Sequence, residues 1–276
     1  MFRTTTSRVL LALSANATIN IVGFGVSSAQ QTEVYYDACG SSAFAASALT
    51  ALAATTRLRP SAIHPLHIAL GATTTVWAAR LFEHLTSRVH RLGGDSRFDA
   101  VKTDPAKFSV YWAIQTMWVG IVSLPAVVVL ATPAARLMRF GPLAGLGLGL
   151  WATGFTIEAV ADKQKADWQN RLGAERKGKF IDEGLWTLAR YPNYFGEMTL
   201  WTGSYVMAVS ALPLSAATVA GFAASPLFIT LLLTQLSGIP LQEKQAAVRF
   251  HGNAAYAEYV KRTNLLVPMF KFTGTS

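Results

Sequence analysis

The chain has 276 residues, 51% of them apolar and only 14% charged, with a formal net charge of +9 and one cysteine. That is too apolar for an ordinary soluble domain, and a single Cys39 excludes a scaffold built on internal disulfides. The basic residues flank apolar stretches of nearly membrane-crossing length, so the expected partners are anionic headgroups or an anionic cofactor, with no nucleic acid.

The first thirty residues carry Arg3 and Arg8, no acid and many Ser/Thr. Two readings fit residues 1–30: a transit-like segment, or a first span over 9–29 softened by Asn16, Thr18 and Asn20. The span is favoured by its length. Residues 31–276 then read as a single membrane domain with further spans near 40–56, 62–82, 109–131, 138–157, 196–212 and 216–238, separated by Pro or polar clusters. The expected fold is all-α, a polytopic integral membrane protein with about seven transmembrane helices and a C-terminal interfacial helix. In the fifth span Gly141, Gly145 and Gly149 recur every four residues, which predicts a face of close helix approach.

Alternation across seven spans places the loops 83–108 and 158–195 and the tail 239–276 on one side, with five, seven and five Lys/Arg. The opposite side carries Arg3, Arg8, Arg57, Arg59, Arg136 and Arg139 and no acidic residue. Positive-inside bias puts the large loops and the C-terminus in the cytosol, or in the matrix of a mitochondrion, leaving the endoplasmic reticulum and the mitochondrial inner membrane both open.

Residues 158–197 are the most informative block. Glu158, Asp162 and Lys165 share one face of a helix that continues out of the fifth span. One reading is a solvated interfacial helix with ion pairs. The other takes Glu158 and Asp162 as acceptors for ribose or amide groups and Lys165, Arg171 and Lys179 as phosphate holders. The run Arg190-Tyr-Pro-Asn-Tyr-Phe-Gly-Glu197 follows, in which Pro192 breaks the backbone and Asn193 is expected to cap the sixth span. Glu197, a turn inside an apolar helix, is a functional-site residue by default, and Arg80 in the third span either serves a site or snorkels to the interface. The tail is expected to form one helix carrying Lys244, Arg249, Tyr256, Tyr259, Lys261 and Arg262, lying on the membrane or over a pocket. His64 and His67 have no third ligand nearby, and no metal site is expected.

Taken together, these residues resemble the DUF1295 family of membrane proteins, relatives of the steroid 5-alpha-reductase C-terminal domain and more distantly of sterol reductases and isoprenylcysteine methyltransferases. The resemblance covers roughly 30–270. It rests on Tyr36-Asp37 with Gly40-Ser41, Arg80-Leu81, Gly94-Asp-Ser-Arg-Phe98, Gln115 with Trp118, Glu158-x-x-x-Ala-Asp-x-Gln-Lys165, Gly184-Leu-Trp186, the 190–197 run, Ser237-Gly-x-Pro240 with Glu243, Tyr256-x-x-Tyr259 and Arg262-Thr263.

The resemblance implies a seven-helix fold in which the last three spans and their loops hold NADPH. Lipid substrate would enter between the first spans. It places Glu158, Asp162, Arg171, Asn193, Tyr194 and Glu197 where the reductases contact their cofactor, with Tyr259 near it, and Glu33, Asp37 or Arg80 where substrate is polarised; the basic residues Lys165, Lys179 and Arg190 of the same block complete the expected cofactor set. The implied reaction is NADPH-dependent reduction of a carbonyl-conjugated double bond in a sterol-like or other lipid. Trp77 stands where the reductases carry a Tyr, and Tyr191 where many relatives carry a His. Two alternatives follow from those departures and from the shared fold: a non-catalytic accessory subunit of a larger membrane complex, and a methyltransferase of a lipid or prenylated substrate using S-adenosylmethionine.

Overall fold

The computed structural model describes residues 4–92, 94–213 and 215–269. Among them the chain is helical without a strand: α1 (Thr5–Ala29), α2 (Tyr36–Thr56), α3 (Pro65–Leu92), α4 (Pro105–Leu130), α5 (Pro142–Leu172), α6 (Pro192–Ser210), α7 (Ala216–Leu231), α8 (Ile239–Arg249) and α9 (Ala254–Arg262). Helices α3 to α6 each begin on a proline, whose missing N–H costs nothing at that position. Asp104 caps α4 by accepting from the N–H groups of Ala106 and Lys107.

Among the described residues five helical stretches are long and apolar enough to cross a membrane: Thr5–Ala29, Tyr36–Thr56, Pro105–Leu130, Pro142–Arg176 and Ala216–Arg249. Helices α3 and α6 lie over the expected third and sixth spans but fall outside that set. The expected tail helix is instead two, α8 and α9, because Gly252 adopts a φ of +74° that ends the run, and Asn253 then caps α9 by accepting from the Tyr256 N–H.

The chain divides into two compact units, one of residues 1–148 with 204–225 and one of residues 149–203 with 226–276. In the first, α1 packs on α2 and α4 through Ala12, Ala48, Ala51, Val127 and Leu130. The asparagines of α1 form a buried ladder. Asn20 donates to Asn16 Oδ1 at 2.8 Å, Gln115 donates to Asn20 Oδ1 at 2.8 Å and to the Tyr36 carbonyl at 3.0 Å, and Asn16 donates to the Thr116 carbonyl at 2.9 Å. Side-chain amides in an apolar helix are thereby satisfied by its neighbours.

In the second unit α5 and α6 meet at two glycines. A Cβ on Gly154 would sit 2.5 Å from the Gly196 carbonyl oxygen, and one on Gly196 would sit 2.6 Å from the Gly154 carbonyl oxygen and from the Glu158 nitrogen. The Gly141, Gly145 and Gly149 face does not make the expected close approach. A Cβ on Gly145 or Gly149 meets no atom within 4 Å, and one on Gly141 meets only the Arg139 carbonyl oxygen of its own loop. A spacing of four allows helices to approach but does not require a partner, and here the partner lies one further turn along.

Candidate functional site

The second unit gathers the residues of the 158–197 block around the glycine crossing. Glu158 is buried against Gly196, one helical turn beyond Gly154. A further turn along, Asp162 Oδ1 accepts from Asn193 Nδ2 at 3.1 Å. Asn193 is therefore not the cap of α6. Its side chain reaches across to α5, and its Oδ1 is buried with no hydrogen-bond partner. A buried amide oxygen left unmatched costs about 1–3 kcal/mol, a cost expected where a ligand completes the bond.

Three residues before Asn193 in the chain, Arg190 donates from Nη1 to Glu243 Oε2 at 2.6 Å, and the Tyr191 hydroxyl donates to Glu243 Oε1 at 2.6 Å. Arg190 Nε is also buried without a partner. Burial and the neighbouring carboxylate push the Tyr191 phenol far above its ordinary range, so it stays protonated and a donor. The ring of Tyr194 stacks on that of Tyr191, with centroids 5.6 Å apart and planes 8° from parallel. Glu197 lies half-buried in α6.

The loop from Gly173 to Tyr191 is laid along α5 by two bonds and tied to α9 by a third. Gln164 Oε1 accepts from the Leu185 N–H at 2.9 Å, Trp186 Nε1 donates to the Ala161 carbonyl at 3.0 Å, and Tyr259 of α9 donates to the Trp186 carbonyl at 2.8 Å. Lys165 Nζ rests 4.7 Å above the Trp186 ring. The C-terminal segment reinforces this: Arg190 N donates to the Asn264 carbonyl, Tyr191 N to the Leu265 carbonyl, and Asn264 N to the Leu188 carbonyl. Burial also raises the Tyr259 phenol far above its usual value.

The remaining expected phosphate holders face solvent. Arg171 donates from Nη2 to both oxygens of Glu183 at 2.9 and 2.7 Å, and Lys179 lies 3.8 Å from Glu175. Exposed pairs of this kind are worth about 0–1 kcal/mol, so an incoming phosphate exchanges with them at little cost. Gln164, Trp186, Tyr191 and Glu243 join the cluster although the spacing of the 158–197 block does not single them out as contacts. For Glu243 the sequence signals are its place just after the Gly238-Ile-Pro240 break and its share in the family resemblance.

The residues expected to polarise substrate lie in the first unit. Glu33 is 5% exposed, its Oε1 accepts from the Asp95 N–H at 2.9 Å, and its Oε2 lies 3.2 Å from Lys102 Nζ. Burial alone would raise its pKa, but the Asp95 N–H and Lys102 outweigh that and hold it below the usual range. Glu33 is thus a carboxylate that accepts but does not donate a proton. Asp37 lies 3.5 Å from Arg88 and 4.0 Å from Arg97, and both arginines also bind Asp95. Trp77 is wholly buried, edge-on to Phe44 with centroids 4.9 Å apart, and Arg80 follows it one turn later in α3, half-buried. Among the described residues no group of three His, Cys, Asp or Glu is placed to hold a metal.

Compared with known proteins, the chain matches the family described as "Protein of unknown function (DUF1295)" over residues 23–263. No curated protein and no solved structure matches it.

Proposed function

The chain belongs to the DUF1295 family, and we propose that it is an integral membrane reductase that uses NADPH to reduce a carbonyl-conjugated double bond in a sterol-like or other lipid. The observation that carries the reading is Asn193, whose amide is fixed by Asp162 through Nδ2 while its Oδ1 stays buried and unmatched; three residues earlier in the chain, Arg190 Nε is buried and unmatched too. One acceptor and one donor, both dry, suit a ligand that offers an amide and a phosphate or hydroxyl. NADPH has these groups, and when bound it supplies hydride.

In this reading Asn193 and Glu197 orient the cofactor's amide end, and Glu158 and Asp162 accept from sugar hydroxyls. Arg190, Lys165, Arg171 and Lys179 hold phosphates, while Tyr194, stacked on Tyr191, and Tyr259 form walls. Glu243 is a positioning residue, because it fixes Arg190 and Tyr191 from outside. Of the three groups expected to act on the substrate, Arg80 is the one that carries a positive charge, which suits a developing enolate. The same reading takes α3 and α6 as spans, giving seven. It also puts the loops 83–108 and 158–195 and the tail on the cytosolic or matrix face.

A second reading, binding without turnover as an accessory subunit of a membrane complex, is favoured by Trp77, which is packed as core and offers no hydroxyl. Purified protein separates the two. Titration with NADPH should saturate, and Asn193→Ala should weaken binding about tenfold, as loss of one or two buried hydrogen bonds requires. Unchanged affinity in Asn193→Ala would remove the site. Binding with no oxidation of NADPH in proteoliposomes supplied with conjugated enone lipids would favour the subunit.

A further inference from the structure

One end of the first unit carries charge of a single sign. Arg8 Nη1 donates to the Ala131 carbonyl at 3.1 Å, His67 Nε2 lies 2.9 Å from the Thr132 carbonyl, and the Met138 N–H donates to the Ala211 carbonyl at 3.0 Å. These bonds gather the start of α1, the start of α3 with the 57–64 loop that leads into it, and the end of α6 against the loop between α4 and α5. Arg57, Arg59, Arg136 and Arg139 all stand exposed there. The acidic residues are elsewhere: the stretches 1–32, 38–82, 105–157 and 198–242 contain no Asp or Glu. Among the described residues this end holds five arginines, Arg8 included, and no acidic residue.

The same loops expose apolar side chains between the arginines. Arg57 and Leu58 are consecutive non-glycine residues in the left-handed region, with φ of 49° and 58°, and Leu58 is 82% exposed. That backbone is costly for residues with a Cβ, yet it turns Leu58 away from every protein neighbour. Met138 and Phe140, on either side of Arg139, are exposed too, as is Ile63. The pattern is arginine, apolar, arginine in one loop and arginine, two apolar residues, arginine, apolar in the other.

The geometry points to an anionic-phospholipid docking surface: Arg57, Arg59, Arg136 and Arg139 bind the headgroup phosphates of acidic lipids while Leu58, Ile63, Met138 and Phe140 enter the acyl boundary. Charge complementarity identifies the occupant. A guanidinium presents a planar fork that matches a phosphodiester bidentately, and every cation at this end is an arginine. An apolar side chain held between such groups has an acyl layer, not water, as its natural surrounding. The surface uses none of the residues assigned to NADPH, so it stands or falls independently of the reductase reading.

The test is native mass spectrometry of the full chain in detergent, titrated with dioctanoyl phosphatidylglycerol, dioctanoyl phosphatidylcholine or sodium phosphate. Wild type should retain the acidic lipid saturably and the zwitterionic lipid weakly. Replacing Arg57, Arg59, Arg136 and Arg139 together by Gln should weaken retention by at least about tenfold, given the contribution of each basic residue near an anionic surface. A control replacing Lys107, Lys163, Lys177 and Lys244 by Gln should change it less than about twofold. Should the fourfold variant not accumulate, Arg57→Glu and Arg139→Glu, one per loop, each lower retention by about fivefold or more. Equal retention of the two lipids, no loss in the arginine variants, an equal loss in the lysine control, or displacement of the lipid by phosphate alone would each overturn the proposal.

Discussion

Gly154→Ala is the substitution that most directly probes how the second unit is built. A Cβ there would lie 2.5 Å from the Gly196 carbonyl oxygen, and ordinary contact begins near 3.4 Å, so α5 and α6 must separate by about 0.9 Å. The atoms met are backbone and have no rotamer to change, so the cost lies at the upper end of the range for overpacking, about 3 kcal/mol. For a chain of this size that lowers the unfolding midpoint by roughly 6–12 °C. The same displacement stretches the 3.1 Å bond from Asn193 Nδ2 to Asp162 Oδ1 to about 4 Å, beyond hydrogen-bonding range, and should weaken NADPH binding by about tenfold. Thermal unfolding in detergent and cofactor titration read the two effects. Gly145→Ala is the matched control, because its Cβ meets nothing within 4 Å and alanine is the better helix former. If Gly154→Ala behaves like Gly145→Ala in both assays, the two helices do not cross at these glycines and the reasoning fails.

Glu243→Gln should leave Arg190, whose side chain is only 13% exposed, without its counter-ion. Breaking a fully buried pair costs about 3–5 kcal/mol, and the partial exposure of Glu243 screens this to about 2 kcal/mol, or roughly 4–8 °C in the unfolding midpoint. An unchanged midpoint would show that Glu243 does not position Arg190. The carboxylates of Glu33 and Asp95 titrate below their ordinary range, at Asp95 because hydrogen bonds and charge from Arg97 outweigh burial. Their folded values lie below the unfolded ones, so the stability they add is full above the usual carboxylate range and is lost as pH falls through the folded values. The midpoint should hold from about pH 7 to about pH 5 and decline below that, and Lys102→Gln, which lets the folded value of Glu33 rise toward its unfolded one, should make the decline shallower. A midpoint that rises on acidification would contradict this.

Much of the helical layout was legible because its signals are local. Apolar runs of spanning length, prolines at helix starts and polar clusters at the junctions placed the starts of α1 to α7 within four residues, while α3 and α5 run ten and fifteen residues beyond the expected span ends. The face joining Glu158, Asp162 and Lys165 was equally plain from helical spacing. What failed depended on contacts between distant segments. Gly141, Gly145 and Gly149 have the right period but no neighbour, whereas Gly154 and Gly196 pair across two helices and form no motif within either. Asn193 looked like a cap because it follows Pro192, and only the presence of Asp162 31 residues away redirects its side chain. Glu243 closes on Arg190 and Tyr191 from more than fifty residues downstream, a partnership no spacing rule identifies. The asparagines of α1 looked like flaws in a span, and they are satisfied by Gln115 and the Thr116 carbonyl of α4.

Cofactor identity is the measurement closest to the central claim. Isothermal titration of the purified full chain with NADPH, NADH and S-adenosylmethionine compares the three directly. The account predicts saturable binding of NADPH, weaker binding of NADH, which lacks the extra phosphate for Lys165, Arg171 and Lys179, and no binding of S-adenosylmethionine. Saturation by S-adenosylmethionine, or no heat with NADPH from protein that is folded by its unfolding midpoint, would contradict it.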